Sequence, residues 1–244
     1  MGHWDRLLLG KGILVFAVTG KLIVFSGIDA AGKSTQIDLL VQRLRRNGLH
    51  PIVFWSRLGY TPGMTRLKWL LRKLAPSRIM PSAGESEQRD LAMARQSTRR
   101  WWLRLSILDL GWFYAVWLRA MRWLGYTVIC DRYLVDSELD FKLNFPDQHM
   151  ETWRSWKMLK WAAVRPSAAF MLLIPIEDSQ QRSRQKEEPF PDSRQRLEQR
   201  LAGYRSCCAT GDWCVLDGRG DIAELSDQIH QVAFQRQVAI REED

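Results

Sequence analysis

Residues 22–35 read Leu22-Ile-Val-Phe-Ser26-Gly27-Ile-Asp29-Ala30-Ala31-Gly32-Lys33-Ser34-Thr35. The run that ends at Gly27 has the composition of a buried strand. From Gln36 the chain continues Gln-Ile-Asp-Leu-Leu-Val-Gln-Arg-Leu, with apolar residues at helical spacing. Strand, Gly-x-x-x-x-Gly-Lys-Ser and helix, in that order, make a P-loop in the context the motif requires. Its glycines let successive backbone N–H groups turn inward, and the helix N-terminus adds partial positive charge, so the loop is built to hold a polyphosphate. Gly27, Ala30, Ala31, Gly32, Lys33, Ser34 and Thr35 are expected to cradle a nucleoside triphosphate. Lys33 would reach its β- and γ-phosphates, and the Ser34 hydroxyl would ligate Mg²⁺.

A second stretch, Tyr126-Thr-Val-Ile-Cys130-Asp131-Arg132-Tyr133, is an apolar strand that runs straight into an acid and an arginine. A carboxylate at the end of a strand beside the P-loop strand is the usual position for a metal-holding acid, so Asp131 joins Ser34 as the expected metal site. Further strands are expected at Ile52–Trp55, at 168–174 and at 213–217. Helical patterns cover 85–123, with a break near Gly111, and 150–164. The helix 177–186, the charged, proline-containing residues 187–191 and a returning helix 193–206 have the form of a lid, at about 182–205.

These two stretches carry a family resemblance. Ile23 to Gln36 resembles the P-loop of thymidylate kinases, and Asp131-Arg132-Tyr133, followed by Asp136-Ser137, resembles that family's Asp-Arg-Tyr/His motif and the Asp-Ser-Ser after it. The likeness extends over roughly residues 20 to 235. It implies a P-loop NTPase fold of the α/β class, three-layer α/β/α, with a five-stranded parallel sheet and a helical lid. It also implies a nucleoside monophosphate kinase that moves the γ-phosphoryl of ATP to dTMP with Mg²⁺ present. By the same resemblance Asp29 would meet the acceptor's sugar hydroxyl, while Arg57 and Arg95 would help hold the acceptor. Arg132 would bridge its phosphate and the transferring group, and Arg182 and Arg184 would bring positive charge from the lid. Asp217 and Arg219 would line the adenine side.

The sequence departs from the family at three places. Leu58 and Gly59 replace a glutamate and a proline beside Arg57, one residue is inserted after Tyr133, and Phe141-Lys142 stands where the family has Tyr-Gln near the base. These changes leave open a divergent kinase acting on another phosphorylated metabolite or on a hydroxyl, or a nucleotide-binding regulatory protein. A P-loop GTPase is excluded by the lack of an Asn-Lys-x-Asp guanine motif.

At 244 residues the chain has the size of one α/β domain, here residues 20–244 after an N-terminal extension of 1–19. With 36 basic against 27 acidic residues it carries a net charge of +9, which suits anionic partners. The basic residues are dispersed and no nucleic-acid motif occurs, so small-molecule nucleotides rather than RNA or DNA are the expected partners. Cys130, Cys207, Cys208 and Cys214 form no Cys-x-x-Cys pair, which suits a reducing, cytoplasmic setting. Leu105 to Leu118 is apolar but shorter than the ~20 residues of a membrane helix. It is expected to be a core helix or a homodimer interface, with interfacial membrane contact through the Trp-rich helices as the alternative.

Overall fold

A computed structural model describes residues 20–55, 96–186, 192–209 and 212–235. Five strands form one sheet: β1 (Leu22–Gly27), β2 (Pro51–Trp55), β3 (Thr127–Asp131), β4 (Ala168–Leu173) and β5 (Cys214–Asp217). All pairings are parallel and the order is β2-β3-β1-β4-β5, which puts the P-loop strand at the centre. Phe25 sits level with both Asp131 and Phe170, so Gly27 and Arg132 leave the sheet at the same edge.

Parallel strands connect through helices that cover both faces of the sheet, which is why β1 is an unbroken apolar run. Its side chains sort with a period of two. Ile23 and Phe25 enter one apolar layer with Ile129, Phe170 and Leu172, while Leu22 and Val24 enter the other with Val128 and Cys130. The first layer is roofed by α1 (Lys33–Arg46), α7 (Arg194–Cys208) and α8 (Ile222–Gln235). In α1, Ile37, Leu40, Val41 and Leu44 repeat at helical spacing and make the buried stripe. Asp221 caps α8, its Oδ1 accepting from Ala223 N at 2.8 Å and Glu224 N at 3.1 Å.

The second layer is roofed by α2 (Gln96–Gly111), a π-helical turn (Trp112–Trp117), α3 (Leu118–Trp123) and α5 (Arg154–Ala162). The expected break near Gly111 is absent. Gly111 has helical φ/ψ of −63° and −47°, and the chain widens by a π turn instead of stopping. The wide turn has a packing partner, for the Val164 N–H donates to the Tyr114 carbonyl at 3.1 Å. Leu110, Phe113, Tyr114 and Leu118 are buried, so the inner face of the apolar stretch is core, as expected. The pattern read as a helix over 150–164 divides into a 3₁₀ turn at Met150–Thr152 and α5.

The remaining helices are α4 (Leu134–Asn144), which follows β3 and packs on α7, and α6 (Ile176–Gln185). α6 and α7 stand where the lid was expected, and the loop between them lies outside the described residues. Cys130 is buried in β3, and all four cysteines are free thiols. No described helix is long and apolar enough to cross a membrane.

Candidate active site

The P-loop follows β1 directly. Gly27 has φ +140°, and a Cβ there would fall 2.2 Å from the Leu172 carbonyl oxygen, so only glycine lets β1 run this close to β4. Gly32, at φ 95°, precedes the first residue of α1, and Ala30 also takes a positive φ of 57°. A non-glycine residue in that region is held by its surroundings. Here α6 does the holding. Ser179 Oγ donates to the Asp29 carbonyl at 2.8 Å, and one helical turn on, Arg182 Nη1 reaches the Ala30 carbonyl at 3.4 Å and the Gly218 carbonyl at 3.0 Å.

Lys33, the first residue of α1, is buried and turns its ammonium back along the loop. Nζ donates to the Gly27 carbonyl at 2.9 Å and the Ile28 carbonyl at 2.7 Å. Burial, helped by the nearby Arg132 guanidinium and opposed by Asp131 and Asp29, lowers its pKa to about 8. Ser34 and Thr35 are exposed at the start of the helix.

Asp131 and Arg132 face the loop from the end of β3. Burial pushes the Asp131 carboxyl up from its ordinary value, against the pull of Lys33 and Arg132. Its Oδ1 is buried and has no hydrogen-bond partner among the described residues. Arg132 adopts φ 78°, with its N–H donating to the Phe25 carbonyl at 2.8 Å. Its guanidinium donates to Asp29 Oδ1 and lies 3.9 Å from Asp136 Oδ1.

Asp136 is the buried anchor of this arrangement. Oδ2 accepts from Ser26 Oγ at 2.5 Å and Tyr133 N at 2.9 Å, and Oδ1 accepts from Tyr204 OH at 2.7 Å. Those donors compensate a carboxylate that burial alone would make costly. The Tyr204 phenol, pushed well above its ordinary pKa by burial and by Asp136, stays protonated as a donor. Four segments, β1, the turn after β3, α4 and α7, thus meet at one carboxylate.

The cleft so formed is lined by Asp29, Lys33, Ser34, Asp131 and Arg132, with the P-loop backbone as its floor and Trp55 and Lys186 at its sides. A Mg²⁺ site fits this set. The partnerless, buried Asp131 oxygen and the exposed Ser34 hydroxyl border one cleft, and no cluster of three or more His, Cys, Asp or Glu side chains exists among the described residues. Mg²⁺ commonly takes one or two protein oxygens and completes its shell with phosphate and water.

Other expected site residues are placed differently. Arg57 and Arg95 lie outside the described residues. Arg184 is exposed, whereas Arg182 is engaged with the P-loop carbonyl. Asp217 and Arg219 pair with each other at 2.7 Å, flanking the Gly218 carbonyl that Arg182 holds. Phe141 is core, edge-on to Trp156, and Lys142 pairs with Glu138 at 2.9 Å. Sequence reading missed Ser26, Tyr204 and Ser179 as supports of the site, and Trp55 and Lys186 as its walls. It also missed Arg200, which is buried in α7 and pairs at 2.7 Å with both Asp140 and Asp192. A tyrosine or arginine within a charged helix gives no spacing signal, because its partners come from distant segments.

No family model matches the chain. Curated relatives do. A thymidylate kinase of Rhodopirellula baltica is 27% identical over 220 residues, covering 86% of this chain and 78% of the relative. One from Prochlorococcus marinus (strain MIT 9313) is 28% identical over 66% of this chain and 68% of its own length. One from Synechococcus sp. (strain CC9902) is 26% identical over 88% of this chain and 97% of its own length.

Proposed function

We infer that this chain, 26–28% identical to the thymidylate kinases it matches, is a divergent member of that family, an ATP-dependent nucleoside monophosphate kinase that phosphorylates dTMP, giving dTDP and ADP. The observation that carries this reading is the convergence of Lys33, Ser34, Asp131, Arg132 and Asp29 on one cleft at the carboxyl edge of the sheet, where open α/β sheets bind ligands.

The P-loop N–H groups and Lys33 bind the β- and γ-phosphates of ATP. The Lys33 ammonium, hydrogen-bonded to loop carbonyls, needs only to reorient toward phosphate oxygens. Ser34 and Asp131 would hold Mg²⁺, which when bound neutralises charge on the donor phosphates. Arg132, whose guanidinium donates to the P-loop acid Asp29, would span the acceptor phosphate and the group in transfer. The acceptor is a phosphate monoester, already anionic at neutral pH, so an oxygen of dTMP attacks the γ-phosphorus without a general base. The bond from that phosphorus to the β–γ bridging oxygen breaks, and the electron pair leaves with ADP. Positioning and charge neutralisation supply the rate. Arg182 acts through the loop by holding Ala30, and Arg184 is the lid residue free to approach the phosphates on closure.

The test is ADP release from Mg-ATP across a panel of nucleoside monophosphates. Turnover that requires dTMP and falls roughly 100- to 1,000-fold in Arg132→Ala supports the reading. Turnover on none of them, with ATP still bound, overturns it.

A further inference from the structure

α4 and α7 meet through two buried polar rungs. Asp136 and Asp140 lie one helical turn apart on one face of α4, and Arg200 and Tyr204 lie one turn apart on the facing side of α7. Tyr204 OH donates to Asp136 Oδ1 at 2.7 Å, and Arg200 Nη2 stands 2.7 Å from Asp140 Oδ1. All four residues are at most 2% exposed.

The two carboxylates hold their arginines differently. Asp140 meets Arg200 directly, and no hydroxyl or backbone N–H is bonded to its Oδ1 among the described residues. Asp136 has neutral donors on both oxygens, Ser26 Oγ at 2.5 Å and Tyr133 N at 2.9 Å on Oδ2, and the Tyr204 hydroxyl on Oδ1. Arg132 stands off from that Oδ1 at 3.9 Å, beyond hydrogen-bond reach, and donates to Asp29. One guanidinium thus lies between two carboxylates in unlike surroundings. The Asp29 side chain borders the cleft and is 25% exposed, whereas that of Asp136 is 2% exposed. Attraction between opposite charges grows as water is excluded, so burial alone would make Asp136 the stronger partner and draw Arg132 inward. A hydroxyl bonded to Oδ1 occupies an acceptor position on the oxygen that faces the guanidinium and weakens that pull.

We propose that Tyr204 is a positioning residue for phosphoryl transfer, its hydroxyl holding Asp136 Oδ1 so that Arg132 stays with Asp29 at the cleft and is not captured by the buried carboxylate. The inference rests on the reading of Arg132 as the contact of the acceptor phosphate. Tyr204 is fully buried and lines no part of the cleft, so it acts through Asp136 and Arg132. The Asp140–Arg200 rung sets the register of α7 on α4 that brings the hydroxyl to Asp136.

The test is Tyr204→Phe, which keeps the ring that fills the core and removes only the hydroxyl. In a crystal structure of this variant the Arg132–Asp136 separation should close from 3.9 Å to a direct charge-assisted hydrogen bond of about 2.8 Å, with the bond to Asp29 lost. In kinetics, kcat/KM for dTMP should fall about tenfold while KM for ATP stays within a few-fold. Adding Asp136→Asn leaves a neutral side chain that cannot capture the guanidinium, so the double variant should recover most of that loss. A purely structural role for Tyr204 gives the opposite order, with the double variant the less active. Any of three outcomes overturns the proposal: an Arg132–Asp136 separation unchanged in Tyr204→Phe, a dTMP kcat/KM equal to that of the wild type, or a double variant no better than the single one. A wild-type chain that turns over no nucleoside monophosphate would count against the functional reading alone, and the separation in the Tyr204→Phe crystal would still decide where Tyr204 places Arg132.

Discussion

Arg132 donates to Asp29 across the mouth of the P-loop, so the arginine at the end of β3 and the acid inside the loop act as one unit. Resemblance alone gives Asp29 a separate role toward the acceptor's sugar. The geometry adds a second one, that of orienting Arg132. Asp29→Ala should therefore lower kcat/KM for the acceptor about 10- to 100-fold while ATP affinity stays within a few-fold. In a double-mutant cycle with Arg132→Ala the two losses should fall short of additive by about 1–3 kcal/mol of transition-state free energy. Full additivity would show that the pair is not coupled.

Asp136 touches no expected ligand, yet it joins Ser26, Tyr133 and Tyr204 in the core. Removing it leaves three buried donors unsatisfied at once. Asp136→Ala should cost about 3–5 kcal/mol of stability in urea unfolding, and Tyr204→Phe about 1–2 kcal/mol. An Asp136→Ala loss below that of Tyr204→Phe would contradict the anchoring role.

Arg200 makes a comparable prediction for α7. Its guanidinium, buried in α7, neutralises Asp140 of α4 and Asp192 just before α7. Arg200→Ala leaves Asp140 buried without its cation, while Asp192 keeps Arg196 at 3.5 Å, and should destabilise by about 3–5 kcal/mol. Arg200→Ala with Asp140→Ala should recover part of that loss, and a double variant no better than the single one would contradict the assignment.

Lys33 gives a pH signature. Its pKa in the folded chain, about 8, lies below the ordinary lysine value. Between the two the unfolded chain binds more protons than the folded one, so this residue makes stability rise with pH from about 8 to about 10.5. Lys33→Met should flatten that rise while abolishing turnover. Triphosphate bound at Nζ favours the charged amine, so ATP binding near pH 8 should take up protons, measurable by calorimetry in buffers of different ionisation enthalpy. Proton release on binding would be the wrong sign.

Gly111 sits in helical geometry, and a Cβ there would make only ordinary contact, 3.8 Å from Leu159 Cδ1. Gly111→Ala should raise stability by roughly 0.5–1 kcal/mol. A destabilised variant would show that the wide turn after it needs glycine.

The parts of the protein legible in its sequence are those written locally. β1 and the P-loop are contiguous, Asp131-Arg132 follows its strand without a gap, and α6 and α7 announce themselves by charge and a proline-bearing connection. What stayed hidden depends on chain crossings. Ser179 and Arg182 brace a loop some 150 residues earlier, and Tyr204 meets Asp136 from another helix. Gly111 misled because glycine inside a helical pattern reads as a stop, whereas here the helix continues with a partner, Val164, for its widened turn. The outward tryptophans were visible as a count, but which of them face water is set by packing on the sheet.

The most direct test of the central claim follows the phosphoryl group itself. ATP labelled at the γ-phosphate is incubated with the protein, Mg²⁺ and dTMP, and the nucleotides are separated. The account predicts label in dTDP, formed only when dTMP is present and reduced roughly 100- to 1,000-fold in Arg132→Ala. Label found in inorganic phosphate alone, at a rate indifferent to dTMP, would contradict it.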